Sequence, residues 1–243
     1  MSLIFDIGFN HGEFVEACNE KFPDHTVVAA EANISLCYKS REKNYKNLKL
    51  INYIVCEEDN DIRTLYINTY QDGISTVSED FMKNSRFSKG NKYLEADSKF
   101  INWREAHTTW KKKVEVSTVT LDKMIKKYGT PEIIKIDVEG YEYNVLLGLS
   151  NKVGKICFES HEEEIEKLYK CIDHLQKLGY NEFGFIGYLD EGGDMYENLT
   201  YHDIGDPYLV EPDKYVPWEV LKSEIDASFD PQRRVNYGMF WCK

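Results

Sequence analysis

Asp6-Ile7-Gly8-Phe9-Asn10-His11-Gly12-Glu13-Phe14 is the stretch on which the fold turns. It follows an apolar run, Leu3–Ile7, of a length suited to a buried strand, and it opens a helical pattern over residues 12–21. Glycines at such a junction let the backbone turn tightly and approach a ligand closely. Free N–H groups at the helix start can receive an anionic group such as a carboxylate. Glu31 closes the next strand-like run, residues 26–31. It lies about 20 residues on, where a carboxylate reaches the two hydroxyls of a ribose. Strand, glycine turn, helix and late acid together predict a site for an adenosine-containing cofactor.

Working outward, strands and helices alternate. Residues 34–43 read as a helix and 48–55 as a third strand. Residues 61–68 alternate like an exposed strand. The pattern resumes with a strand at 114–118, a helix at Leu121–Tyr128, a turn at Gly129-Thr130-Pro131 and a strand at 133–137. A helix at 140–148, a strand at 155–159 and a long helix at 162–178 follow, and residues 180–187 and Tyr237–Cys242 close the set. Alternation at this spacing predicts an α/β fold with a mostly parallel sheet and right-handed crossovers. One domain is expected over residues 1–243. Two segments stand apart. Residues 71–113 carry Phe81, Phe87, Tyr93, Phe100, Trp103 and Trp110, and read either as a lid or small subdomain or as two short helices over the sheet edge. Residues 190–234 are acidic and rich in Tyr and Pro; Pro207, Pro212 and Pro217 argue against a long helix before Trp218.

Composition narrows the function. The 243 residues carry a formal net charge of −12, which repels a nucleic acid unless a basic patch overcomes it. The one dense basic run, Lys111-Lys112-Lys113, reads as a solvated loop. The six cysteines, Cys18, Cys37, Cys56, Cys157, Cys171 and Cys242, are scattered and form no CxxC pair, as expected of reduced core residues in a cytoplasmic protein. No signal peptide and no membrane span is expected. The chain starts directly in a strand-like run, which leaves open that it is a domain of a longer protein.

The turn discriminates between cofactors. A nicotinamide dinucleotide favours G-x-G-x-x-G. Here the pattern is G-x-x-x-G, with Asn10 where a glycine would stand. Asp6 just before the turn would repel a pyrophosphate but suits an ammonium group. S-adenosylmethionine carries an ammonium, a carboxylate, a ribose and a sulfonium. It is the expected cofactor, with Asp6, Gly8, Asn10, Gly12 and Glu31 as its binding residues; Ala32, next to the acid, and Cys56, beyond the third strand, complete the candidate set.

With the second half included, the sequence resembles the FkbM-like methyltransferases, which show D-x-G-A-N-x-G, an acid after strand two, a T-L-D helix start and K-I-D-V-E-G-x-E. The matching residues are Asp6, Gly8, Asn10, Gly12, Glu31, Thr120-Leu121-Asp122 and Lys135-Ile136-Asp137-Val138-Glu139-Gly140-Tyr141-Glu142. Phe9 replaces the usual Ala, and Ala32 the common Pro. The resemblance covers residues 3–178. It implies a Rossmann-like class I methyltransferase fold with a seven-stranded, mostly parallel sheet, an antiparallel last strand and helices on both faces. It also implies O-methylation.

Ligands of open α/β sheets bind beyond the carboxyl ends of the strands. Lys135 and Asp137 alternate in one strand and share a face. A lysine there needs a partner: Asp137, Asp6 or a substrate carboxylate would serve. Glu159 and His161, also two apart, point to one cleft, where a histidine oriented by a carboxylate can take a hydroxyl proton; alternatively His161 caps the following helix. Asp137, Glu159 and His161 could instead hold a divalent cation. Glu142 stands where it could close the start of its own helix. The expected activity is O-methylation of a hydroxyl on a sugar, glycan or other small-molecule acceptor, with aromatic residues of 71–113 and 190–234 as stacking faces. The rival readings are a nucleic-acid methyltransferase and a non-catalytic cofactor-binding scaffold.

Overall fold

The computed structural model describes residues 2–43, 45–85, 87–88, 110–188, 199–202, 211–228 and 237–243. Along the chain these give β1 (Leu3–Ile7), α1 (Glu13–Lys21), β2 (Thr26–Ala30), α2 (Ile34–Ser40), β3 (Leu48–Ile51), β4 (Ile54–Val55), β5 (Ile62–Ile67) and α3 (Glu79–Asn84). They continue with β6 (Lys112–Val119), α4 (Leu121–Tyr128), β7 (Ile133–Ile136), α5 (Glu142–Leu147), β8 (Lys155–His161) and α6 (Ile165–Lys177). Last come β9 (Phe183–Tyr188), β10 (Leu199–His202), α7 (Trp218–Ser228) and β11 (Tyr237–Cys242).

The main sheet has the order β10-β9-β11-β8-β7-β1-β2-β3. Strands β8, β7, β1, β2 and β3 are parallel to one another, and β11 runs antiparallel between β8 and β9. The seven strands implied by the resemblance are therefore present with the last one antiparallel. The short β10 adds an eighth, parallel to β9 at the outer edge.

The central strands are apolar on both sides because helices cover both faces. On one face Phe5, Ile7, Ile134, Ile136, Ile156 and Phe158 pack with Leu121 and Met124 of α4, Val145 and Leu146 of α5 and Leu168 and Ile172 of α6. On the other, Ile4, Val27, Ile133, Cys157 and Trp241 pack with Phe14, Val15 and Cys18 of α1. Burying each large apolar side chain contributes about 1.5–3 kcal/mol, which fixes the sheet as the frame of the site.

A second, three-stranded sheet pairs β4 parallel and β5 antiparallel with β6. It corrects the sequence reading of 48–55 as one strand. The Asn52 side chain donates to the carbonyls of Glu31 (2.8 Å) and Ala32 (2.9 Å), and the chain leaves β2 there to pair with β6 instead. The basic run Lys111-Lys112-Lys113 is exposed as expected, but Lys112 and Lys113 belong to β6 rather than to a loop. Of the segment 71–113, the described part is a 3₁₀ turn at Asp72–Ile74 that pairs onto β5 through Tyr66 and Thr76, then α3, then the start of β6. Tyr93, Phe100 and Trp103 lie outside the described residues. Phe81 is fully buried and cannot offer a stacking face. Helix α7 begins at Trp218, directly after Pro217.

Candidate active site

Strand register builds the site. Asp6 lies opposite Ala29 and Lys135, Ile7 opposite Ala30 and Ile136, and Ile136 opposite Phe158. One residue further, Gly8, Glu31 and Asp137 stand just past the ends of β1, β2 and β7, and Glu159 comes level with them in β8, which runs on to His161. This is the crevice where ligands of such sheets bind.

The glycine turn is held from beneath. Gly8 and Phe9 N–H groups both donate to the Ala30 carbonyl, at 3.0 and 3.2 Å, and the Asp137 N–H donates to the Ile7 carbonyl at 2.9 Å. Gly8 has φ +90°, and a Cβ on it would stand 1.8 Å from the Asp137 carbonyl oxygen. Gly12, at φ +88°, has the Tyr45 hydroxyl in the same relation at 2.3 Å. Only glycine fits either position. Asn10 takes the left-handed conformation (φ 49°), which asparagine tolerates better than most residues.

Glu31 closes the cradle. Its carboxylate accepts from the Asn10 N–H at 2.8 Å and the Asn33 N–H at 2.6 Å. Burial nevertheless pushes its pKa up to about 7, against the pull of those two donors. The buried Asn10 Oδ1 finds no hydrogen-bond partner among the described residues. A bend that only glycine fits, a carboxylate with spare lone pairs and an orphaned amide oxygen fit an adenosine-type ligand bearing a donor-rich tail.

Two partners were expected for Asp6, the cofactor's ammonium and Lys135; it is wholly enclosed and paired with Lys135 Nζ at 3.3 Å. Burial raises its pKa to about 6, with Lys135 opposing. Lys135 is itself buried, donates to the Gly8 carbonyl at 2.7 Å and lies 3.4 Å from Asp137 Oδ2. The expected shared face of Lys135 and Asp137 is thus present, and the lysine ties β1, the glycine turn and β7 together. Burial and the neighbouring Glu159 raise the Asp137 pKa, and Lys135 counters them. Ala32 stands beside Glu31, half-buried. Cys56 is buried with Ile54, Leu65, Ile67 and Val116, a cluster against which Ala32 packs, and its N–H donates to the Val119 carbonyl at 3.0 Å.

Beyond Asp137 lies a second group. His161 Nε2 is 2.9 Å from Glu159 Oε2, and the buried ring meets Phe81 and Phe87 edge-on. Its side chain makes no capping bond to the turn that follows. Glu142, the first residue of α5, accepts from Val138 N–H (3.0 Å) and Gly140 N–H (3.3 Å) just ahead of its helix. Burial pushes its pKa up to about 8.

Glu139 is the residue that sequence reasoning missed. Strand alternation ends at Ile136, and Glu139 follows in the left-handed region (φ 56°), held by Thr76 Oγ1 donating to its carbonyl at 2.7 Å. That turn carries its carboxyl to Glu159 and His161, so that one potential ligand atom from each of the three lies within 4.8 Å of the others. Its place in the Lys135–Gly140 motif was the only available signal.

The architecture and the cradle define a class I methyltransferase. The chain belongs to the FkbM methyltransferase family: the methyltransferase FkbM domain model matches residues 6–186. Members of this family take their methyl group from S-adenosylmethionine, which the cradle fits. No curated protein matches the sequence. Among solved structures, the chain is similar to precorrin-6y C5,15-methyltransferase from Geobacter metallireducens GS-15, at 11% identity over 100% of this chain and 81% of that one, with a TM-score of 0.43. It is also similar to the plantazolicin methyltransferase BpumL in complex with a triazolic desmethylPZN analog and SAH, at 11% identity over 100% and 76%, with a TM-score of 0.37. Likenesses this distant carry no weight for the site. Among the described residues no helix is long and apolar enough to cross a membrane.

Proposed function

We propose that the chain methylates a hydroxyl group of a sugar, glycan or similar small acceptor, using S-adenosylmethionine. The observation that carries this is the His161–Glu159 pair at 2.9 Å, two strands along the sheet from the glycine turn of β1. A hydroxyl is a poor nucleophile until its proton is taken, and an imidazole oriented by a carboxylate is suited to take it. The donor supplies an already activated methyl group. The protein's own work is therefore to hold and to deprotonate. Gly8, Asn10, Gly12 and Glu31 hold the donor; Lys135 and Asp6 fix the turn from below; Asp137 faces the space between donor and acceptor. Phe81 and Phe87 keep water from the imidazole. The net charge of −12 disfavours a nucleic-acid acceptor.

The test is transfer of labelled methyl from the donor to a panel of glycans and small polyols. Label recovered in a base-stable ether supports the reading. Label found only in an ester or on nitrogen, or tight retention on heparin, overturns it. His161→Gln should lower kcat by about 100-fold while donor affinity stays within about twofold, as expected of a lost proton acceptor.

A further inference from the structure

Glu139, Glu159 and His161 are an incomplete ligand shell. Metal–oxygen and metal–nitrogen bonds of about 2.1 Å put ligand atoms roughly 3 to 4.2 Å apart around one ion. The potential ligand atoms of the three side chains all lie within 4.8 Å of one another, and His161 Nε2 and Glu159 Oε2 are already at 2.9 Å. A small contraction would close the shell.

A second observation points the same way. Glu139 Oε2 is shut off from solvent and has no hydrogen-bond partner among the described residues. An orphaned carboxylate oxygen is costly, and the arrangement worsens the cost by adding a second carboxylate, Glu159, at close range. Lys135 is already placed against Asp6 and Asp137. The left-handed turn at Glu139 and the Thr76 bond hold the group in this position.

We propose that Glu139, Glu159 and His161 bind one first-row divalent cation, of the Mn²⁺ type, at the acceptor end of the crevice. Two carboxylates and an imidazole are a mixed oxygen and nitrogen donor set, which suits such an ion better than Ca²⁺ or Cu(I). Three protein ligands leave coordination positions open, as in sites that bind a substrate oxygen. What the ion does there rests on the hydroxyl-acceptor reading: with His161 as its ligand, it would receive the acceptor oxygen and lower the hydroxyl pKa, in place of proton uptake by the free imidazole. That the ion binds does not rest on it. The set differs from the one expected from sequence alone, with Glu139 in place of Asp137.

The test uses the full chain, freed of metal with a chelator, and Mn²⁺ alone as the probe. Loss of the free Mn²⁺ paramagnetic signal should show one site. Glu139→Gln and, separately, Glu159→Gln should each weaken it by about tenfold or more. Unchanged thermal unfolding of the metal-free variants separates ligand loss from misfolding, and S-adenosylhomocysteine affinity should stay within about twofold. No binding by the wild-type protein, or equal binding by both variants, overturns the site. If the chelated protein still makes the methyl ether at full rate, the role given to the ion falls, while the Mn²⁺ titration alone decides the site and the hydroxyl-acceptor reading stands. If Mn²⁺ binds as described but no hydroxyl is methylated, the site stands and that reading falls.

Discussion

A methyl group on residue 8 has nowhere to go. It would stand 1.8 Å from the Asp137 carbonyl oxygen, on a backbone at φ +90°. Gly8→Ala must therefore distort β1 or push β7 away, at a cost of about 3 kcal/mol or more. For a chain of this size, thermal unfolding should fall by roughly 6 °C or more, with donor binding lost alongside. An unchanged unfolding temperature would show that the turn is not packed against β7 as described. Gly8, Gly12 and Glu31 were legible in the sequence because turn chemistry and spacing act locally. The role of Asp6 was not. An acid before the turn suits an ammonium ligand or a buried lysine, and the first strand alone does not say that Lys135, on another strand, takes it. Glu139 was hidden for a related reason: its direction is set by two successive left-handed residues, Glu139 and Gly140, where strand alternation no longer applies.

At the scale of elements, local signals read well and partner choice read poorly. Helix α4 shows the first. Thr120 precedes it, and its side chain accepts from the Lys123 N–H at 3.1 Å, the bond expected of a threonine cap. Thr120→Ala should cost about 1 kcal/mol and lower the unfolding temperature by roughly 2–4 °C. Donor affinity should not change, because α4 packs on the sheet through Leu121 and Met124 rather than touching the cradle. A matching loss of donor binding would make α4 part of the site. The split of residues 48–55 shows the second. Apolar periodicity finds an extended segment but does not say which strand it joins. That is decided by the Asn52 side chain seizing two carbonyls beyond β2 and by β6, which comes much later in the chain.

The whole molecule concentrates buried acid at one end of its sheet, and this predicts how it responds to pH. Glu31, Asp6 and Glu142 are all buried, with pKa values raised to about 7, 6 and 8. In the unfolded chain such groups titrate near ~4. Between those limits the folded state holds more protons than the unfolded one, so stability must fall as pH rises through the window. Carboxylates whose values are lowered, such as Glu57 and Asp80, lose their contribution only as pH falls through the acid range, outside this window. For Glu31 alone the loss is on the order of 3 kcal/mol. The unliganded protein should therefore unfold at a temperature several degrees lower at pH 8 than at pH 5.5. S-adenosylhomocysteine should reverse part of that fall. Ribose hydroxyls donate to the ionised form of Glu31, so binding favours loss of its proton and strengthens as pH rises toward 8. The rise in unfolding temperature caused by the ligand should accordingly be larger at pH 8 than at pH 5.5, and calorimetry in buffers of different ionisation heats should detect a proton released near pH 6.5. Ligand stabilisation that is flat or inverted across this range would remove Glu31 from the donor site.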